Sequence, residues 1–293
     1  MTATDQATPD RAATARATTY DAPTDQALPG ALSLAFARAS IELKTFFRER
    51  DTVIFTFSLP IIMLIILGSV FTETVENTGI TVSQLFVGGM IAGGIASTSF
   101  VTLGSGIASD REDGTLKRLR GTPMPKTSYF LGKVLLVLVT SLAEVALLLA
   151  VGVLLFDLEL PSEANKWLTL GWIFVLGVTA CALIGIAVSS LARTARSASA
   201  LSNLGLLVLM FASGVYFLPV SALPEPLIQV GSLFPLKWMA QGSRSVFLPD
   251  SLASLEAAGA WEHGRIALVL VAWCIGGLIL CLTTFRWRGT RER

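Results

Sequence analysis

The chain has 293 residues, of which 53% are hydrophobic and only 15% charged, well under the roughly 25% charge of an ordinary soluble domain. Its net charge of +1 gives no sign of a nucleic-acid partner. Cys181, Cys274 and Cys281 all lie in apolar runs and the lone His263 sits in a predicted loop, so neither a disulfide framework nor a metal set is indicated.

In chain order, residues 1–30 are rich in Thr, Ala, Asp and Pro and lack an apolar run, which predicts a disordered cytoplasmic tail and not a signal peptide. From Ala31 the pattern changes. Leu32, Phe36, Ala39, Leu43 and Phe46 recur every three or four residues, with Arg38, Glu42, Lys44, Arg48 and Glu49 between them. That spacing predicts an amphipathic helix in the membrane interface.

Six apolar stretches follow, each long enough to cross a bilayer as a helix, with spans expected at about 52–72, 85–108, 134–156, 168–190, 200–218 and 266–285. Pro60 in the first should break one backbone hydrogen bond. The second carries Gly89 and Gly93, a small-xxx-small pair suited to close helix contact, either within the bundle or toward a second subunit. Glu144, the one charge inside a span, must be protonated, paired or turned toward a polar cavity, as a structural hydrogen-bonding group or as part of a pathway or gate.

The connection 219–265 alternates Pro breaks with apolar pieces too short to span. It predicts short re-entrant or interfacial helices around Pro235, Leu236, Lys237 and Trp238, with Lys237 and Arg244 reaching to the boundary. Residues 289–293 form a basic tail. The fold class is therefore all-α, a polytopic membrane protein of six transmembrane helices.

Eighteen of the 22 lysines and arginines fall in the N-terminal segment, the loop after the second span, the loop after the fourth, and the tail. The remaining connections hold mostly Glu and Asp. The positive-inside bias places both termini in the cytoplasm of a multi-pass cell-membrane protein.

No phosphate-binding loop, metal motif or carboxylate constellation occurs, so nucleotide chemistry would have to reside in another subunit. Transporter subunit, channel, embedded enzyme and assembly factor remain as classes. A channel would show a polar pore lining, and an embedded enzyme would need facing polar residues where this chain has Glu144. The loop SDREDGTLKRLRGTPMPKTSYFLGK is either a surface that a motor can push or a plain positive-inside anchor. In it Leu116 and Leu119 can face the membrane while Arg111, Lys117, Arg118 and Arg120 stay in water.

The segments DREDGTLKRLRGTPMPKTSYFLGK and FPLKWMAQGSRSVF, with the amphipathic helix and the six-span layout, resemble the permease subunits of the type 2 ABC exporter family, the group that includes daunorubicin-resistance type membrane proteins. The resemblance covers residues 31–288. It implies a transmembrane permease that binds no cofactor, paired with a second copy or a homologous permease and with two cytoplasmic ATPase subunits that hold ATP and Mg. It also implies that Arg38, Lys44, Arg48, Arg111, Glu112, Gly114, Thr115, Leu116, Arg118, Leu119, Arg120 and Pro123 contact the ATPases. The short helices near 227–239 would lie by the extracellular exit. The apolar walls favour export of an amphiphilic drug, lipid or glycolipid, with antibiotic resistance as one outcome. The alternatives are a polysaccharide or lipid-linked glycan exporter subunit and a non-transporting membrane scaffold.

Overall fold

The computed structural model describes residues 30–284 apart from 76–77, 123–124 and 193. The predicted N-terminal tail up to residue 29, the tail at 289–293 and Pro123 fall outside the described residues, as does the side chain of Arg120. All packing reported below lies in the unit that begins at Ala31.

Among the described residues the fold is all helical, apart from one isolated bridge between Thr74 and Thr81. Helix α1 covers Ala31–Arg48 and α2 Arg50–Val70. Helix α3, Val82–Ala96, runs through a π-helical stretch at Ser97–Thr102 into α4, Leu103–Glu112. The short α5, Thr115–Arg120, precedes α6, Lys126–Phe156. Helices α7, Ala164–Leu191, and α8, Ala195–Ala212, follow, then α9, Glu225–Leu233, α10, Pro235–Phe247, and α11, His263–Thr284.

Six segments are long and apolar enough to cross a membrane: α2, α3 with α4, α6, α7, α8 and α11. Their ends depart from the predicted spans where local chemistry decides. Helix α6 starts at Lys126, just after Pro125, and stops where Asp157 turns left-handed at φ 50°. Helix α8 stops at Ala212, before a turn at Gly214 with φ 65°, so the span expected to reach 218 is shorter. Helix α2 is continuous through Pro60.

The second span is the centre of the bundle, with 83% of its apolar window buried, whereas the first and last are 17% buried. Phe86, Met90, Ile91 and Ile95 of α3 join a core with Val137 and Leu148 of α6, Ile173 and Val178 of α7, and Met239 of α10. Side chains on α2 and α11 such as Phe55 and Leu282 are largely exposed and would face lipid tails. Small residues allow the closest approaches: a Cβ added at Gly185 of α7 would stand 2.6 Å from the Phe100 carbonyl oxygen.

The amphipathic helix differs from its predicted form. It has two apolar faces, because Ala35, Ala39 and Phe46 are buried while Leu32 and Phe36 are 65% and 60% exposed. The alanines let α1 lie against α6 at Gly132, where an added Cβ would stand 2.7 Å from Arg38 Cγ. Over the first half of the helix the small alanines pack on protein and the large Leu32 and Phe36 are left for lipid, while at its end Phe46 is buried as well.

Candidate functional site

At the end of the bundle that carries α1, charged side chains join three helices. Lys133 of α6, 5% exposed, pairs with Glu42 of α1 at 2.9 Å and with Asp110 of α4 at 2.8 Å. Tyr129 donates its hydroxyl to the same Asp110 oxygen at 2.8 Å. Arg38 pairs with Glu42 and stands 5.6 Å above the Tyr129 ring. Two carboxylates sharing one ammonium are well compensated, so the cluster ties α1 to α4 and α6.

Beside it opens a cleft of about 720 Å³ between α1, α4, α6 and α8. Glu49, Asp110, Lys133 and Arg196 lie on its charged part, and Leu103, Leu136, Val137 and Thr140 on its deeper wall.

The predicted contact residues do not form one free surface. Arg38 is held by Glu42, and Arg111, expected in water, reaches back to donate to the Ser189 carbonyl at 2.6 Å. Glu112 accepts from the Ala195 amide at 2.8 Å, a carboxylate at the positive end of α8. Leu116, expected to face the membrane, is buried in protein, and Leu119 is half-buried. Gly114 holds φ 72°, the turn that frees α5 from α4. Thr115 accepts a bond from Arg118 at 3.1 Å. Lys44, Arg48 and Arg118 are exposed. α5 is therefore a basic knob on an apolar peg.

In the middle of the bundle Glu144 is fully buried beside the Thr98 hydroxyl, and neither carboxyl oxygen has a hydrogen bond of full geometry. It faces α3 at Gly94, where an added Cβ would stand 2.7 Å from Oε1. One turn further on, in the π-helical stretch, Thr98 meets Ser141 at 2.6 Å between hydroxyl oxygens. Gly93 packs on Met210, and Gly89 on the Val215 backbone and Arg244. Both glycines are thus used for contacts within this chain.

At the opposite end, α9 and α10 are the predicted short helices, each begun by a proline in its first turn. Arg244 does not reach the boundary. Its Nε is 2.6 Å from Glu256 Oε1, both side chains are 2% exposed, and Nη1 donates to the Gly214 carbonyl at 3.2 Å. Lys237 is buried as well, bonded to Ser232 Oγ with its ammonium 5.0 Å from the Trp238 ring centre. Burial lowers its pKa below the usual lysine value, against the opposing pull of Glu256 and Glu262. Pro235, Leu236 and Trp238 are buried with it, and Trp238 donates to the Ser232 carbonyl at 2.8 Å. His263, expected in a loop, opens α11 and meets Ser245 at 2.9 Å.

Sequence reasoning missed Asp110, Tyr129 and Lys133 as a cluster with Glu42, and Glu256 as the partner of Arg244. The positions of Glu42 and Arg38, four apart, were the one visible signal. The others meet across 12 residues or more of chain, which spacing does not reveal.

No curated protein matches the chain. The family model for the ABC-2 type transporter matches residues 35–248, from α1 through α10 to the close of the Arg244 helix. With six membrane-length helices and this match over most of its length, the chain belongs to the ABC-2 type transporter family and is a multi-pass permease subunit of an ABC transporter.

Proposed function

We propose that the chain is the membrane half of an ATP-driven exporter in the cell membrane, with both termini and the α1/α5 end in the cytoplasm. Two permeases, either two copies of this chain or this chain and a homologue, would associate with two ATPase subunits that hold ATP and Mg. The cargo is an amphiphile, such as a drug, lipid or glycolipid, taken from the cytoplasm or inner leaflet.

The supporting observation is the exposed basic α5, anchored by buried Leu116 and joined by the tight Gly114 turn to α4, whose Asp110 is paired to Lys133. A push on α5 reaches α4, α6 and α1 together. When ATP draws the ATPases together, that push would shift the bundle between two packings, and hydrolysis would reset it.

The test is reconstitution in vesicles with a candidate ATPase that carries a phosphate loop. Arg118→Glu should leave the permease folded and inserted while abolishing its stimulation of ATP hydrolysis. Unchanged stimulation by this variant, or labelling of Arg118→Cys only from outside the cell, would remove the proposed surface.

A further inference from the structure

The cleft between α1, α4, α6 and α8 has a consistent chemical character. Its volume of about 720 Å³ suits a drug-sized group. Four of the seven hydroxyls that line it, those of Thr52, Ser105, Ser109 and Thr140, donate within the protein. Thr140 donates to the Leu136 carbonyl at 2.9 Å and Ser105 to Val101 at 2.8 Å. Ser109 donates to Asp113 at 3.3 Å and Thr52 to Glu49 at 3.2 Å. What these oxygens can still offer a ligand is lone pairs. Of the cations nearby, Lys133 is engaged by two carboxylates, and Arg196 is exposed at the rim. These four oxygens therefore suit a molecule that donates hydrogen bonds.

Thr140 stands at the deep wall, and Glu144 is the next residue on the same face of α6, one helical turn further into the membrane. Its carboxyl is fully buried with neither oxygen in a hydrogen bond of full geometry, and no ion pair involves it among the described residues. An ionisable group in this setting is costly and needs compensation. Gly94 of α3, with no side chain of its own, packs directly against this carboxyl, while Thr140 one turn away lines the cleft.

We propose that the cleft takes the head of a cationic amphiphile, a protonated amine, and that Glu144 is the counter-charge that receives the ammonium as α3 moves from α6. The proposal rests on the permease reading above and narrows its cargo class: the amine provides N–H donors for the hydroxyls and a charge for the buried carboxyl, while its apolar tail lies along Leu103, Leu136 and Val137.

The experiment uses the purified full chain in lipid nanodiscs without any ATPase, titrated calorimetrically against empty discs. The probes are 4-phenylbutylammonium, its neutral analogue 4-phenylbutanol, and the anion 4-phenylbutanoate. The native chain should bind the ammonium roughly tenfold more tightly than the alcohol, and the anion least. Glu144→Gln should equalise ammonium and alcohol, and Glu144→Asp should keep most of the preference. Thr140→Leu, which fills the inner end, should weaken ammonium and alcohol alike and serves as the second variant should Glu144→Gln fold poorly.

Equal affinity of the native chain for ammonium and alcohol, a preference that survives Glu144→Gln, full binding in Thr140→Leu, or no binding at all would each overturn the assignment. Because no ATPase is present, such a result leaves the transport reading standing. Lost stimulation of an ATPase would in turn leave the amine site intact.

Discussion

Removing one partner of the Arg244–Glu256 pair should be among the most damaging single changes in the protein. Both side chains are 2% exposed, and Glu256→Leu would leave the guanidinium with the Gly214 carbonyl as its remaining acceptor. Uncompensated charges of this kind cost about 3–5 kcal/mol. For a chain of this size that corresponds to a fall in unfolding midpoint of roughly 6–20 °C. The pair is not fully satisfied, however, since Arg244 Nη2 and Glu256 Oε2 have no hydrogen-bond partner. The double variant Arg244→Met with Glu256→Leu should therefore recover most of the loss and stand within about 1 kcal/mol of the native chain. Tryptophan fluorescence of the detergent-solubilised protein reports unfolding, with Trp238 on the same helix and Trp261 five residues beyond Glu256. A double variant as unstable as the worse single one, or singles indistinguishable from native, would refute the reasoning.

Two further outcomes follow from contacts elsewhere. Gly185→Ala places a methyl group 2.6 Å from the Phe100 carbonyl and should lower stability by about 1–3 kcal/mol, whereas Gly171→Ala, with nothing within 4 Å, should be neutral or stabilising by up to about 1 kcal/mol; thermal unfolding separates the two. Lys133→Met leaves Glu42 and Asp110 without their shared cation and should loosen α1 from the bundle. Maleimide labelling of Ala39→Cys, buried against α6, should then quicken by roughly tenfold, and an unchanged rate would show that Phe46 and the alanines hold α1 alone.

The helices were legible because lipid demands long uncharged runs, and no charged residue falls within 52–72 or 266–285. The short helices before the last span were legible from their prolines. The partners within the site were not. Arg244 and Lys237 look like boundary residues by composition, and only the arrangement of Glu256 and Ser232 around them shows that they are interior. Arg111 belongs with the loop charges by position, yet its guanidinium finds a carbonyl 78 residues away. Helix α1 showed its period but not its orientation, because Phe36 and Phe46 both count as apolar in a pattern, whereas one is exposed and the other is buried with Ala35 and Ala39.

The π-helical stretch at Ser97–Thr102 gives the second span a freedom that a regular helix lacks. An extra residue in a turn offsets the azimuth of everything beyond it by about 100°. The glycines on one side of it can thus seat Met210 and Arg244 while Asp110 on the other still finds Lys133. One rod serves as two, and a rotation begun at Asp110 can be absorbed in the wide turn without twisting the glycine seam.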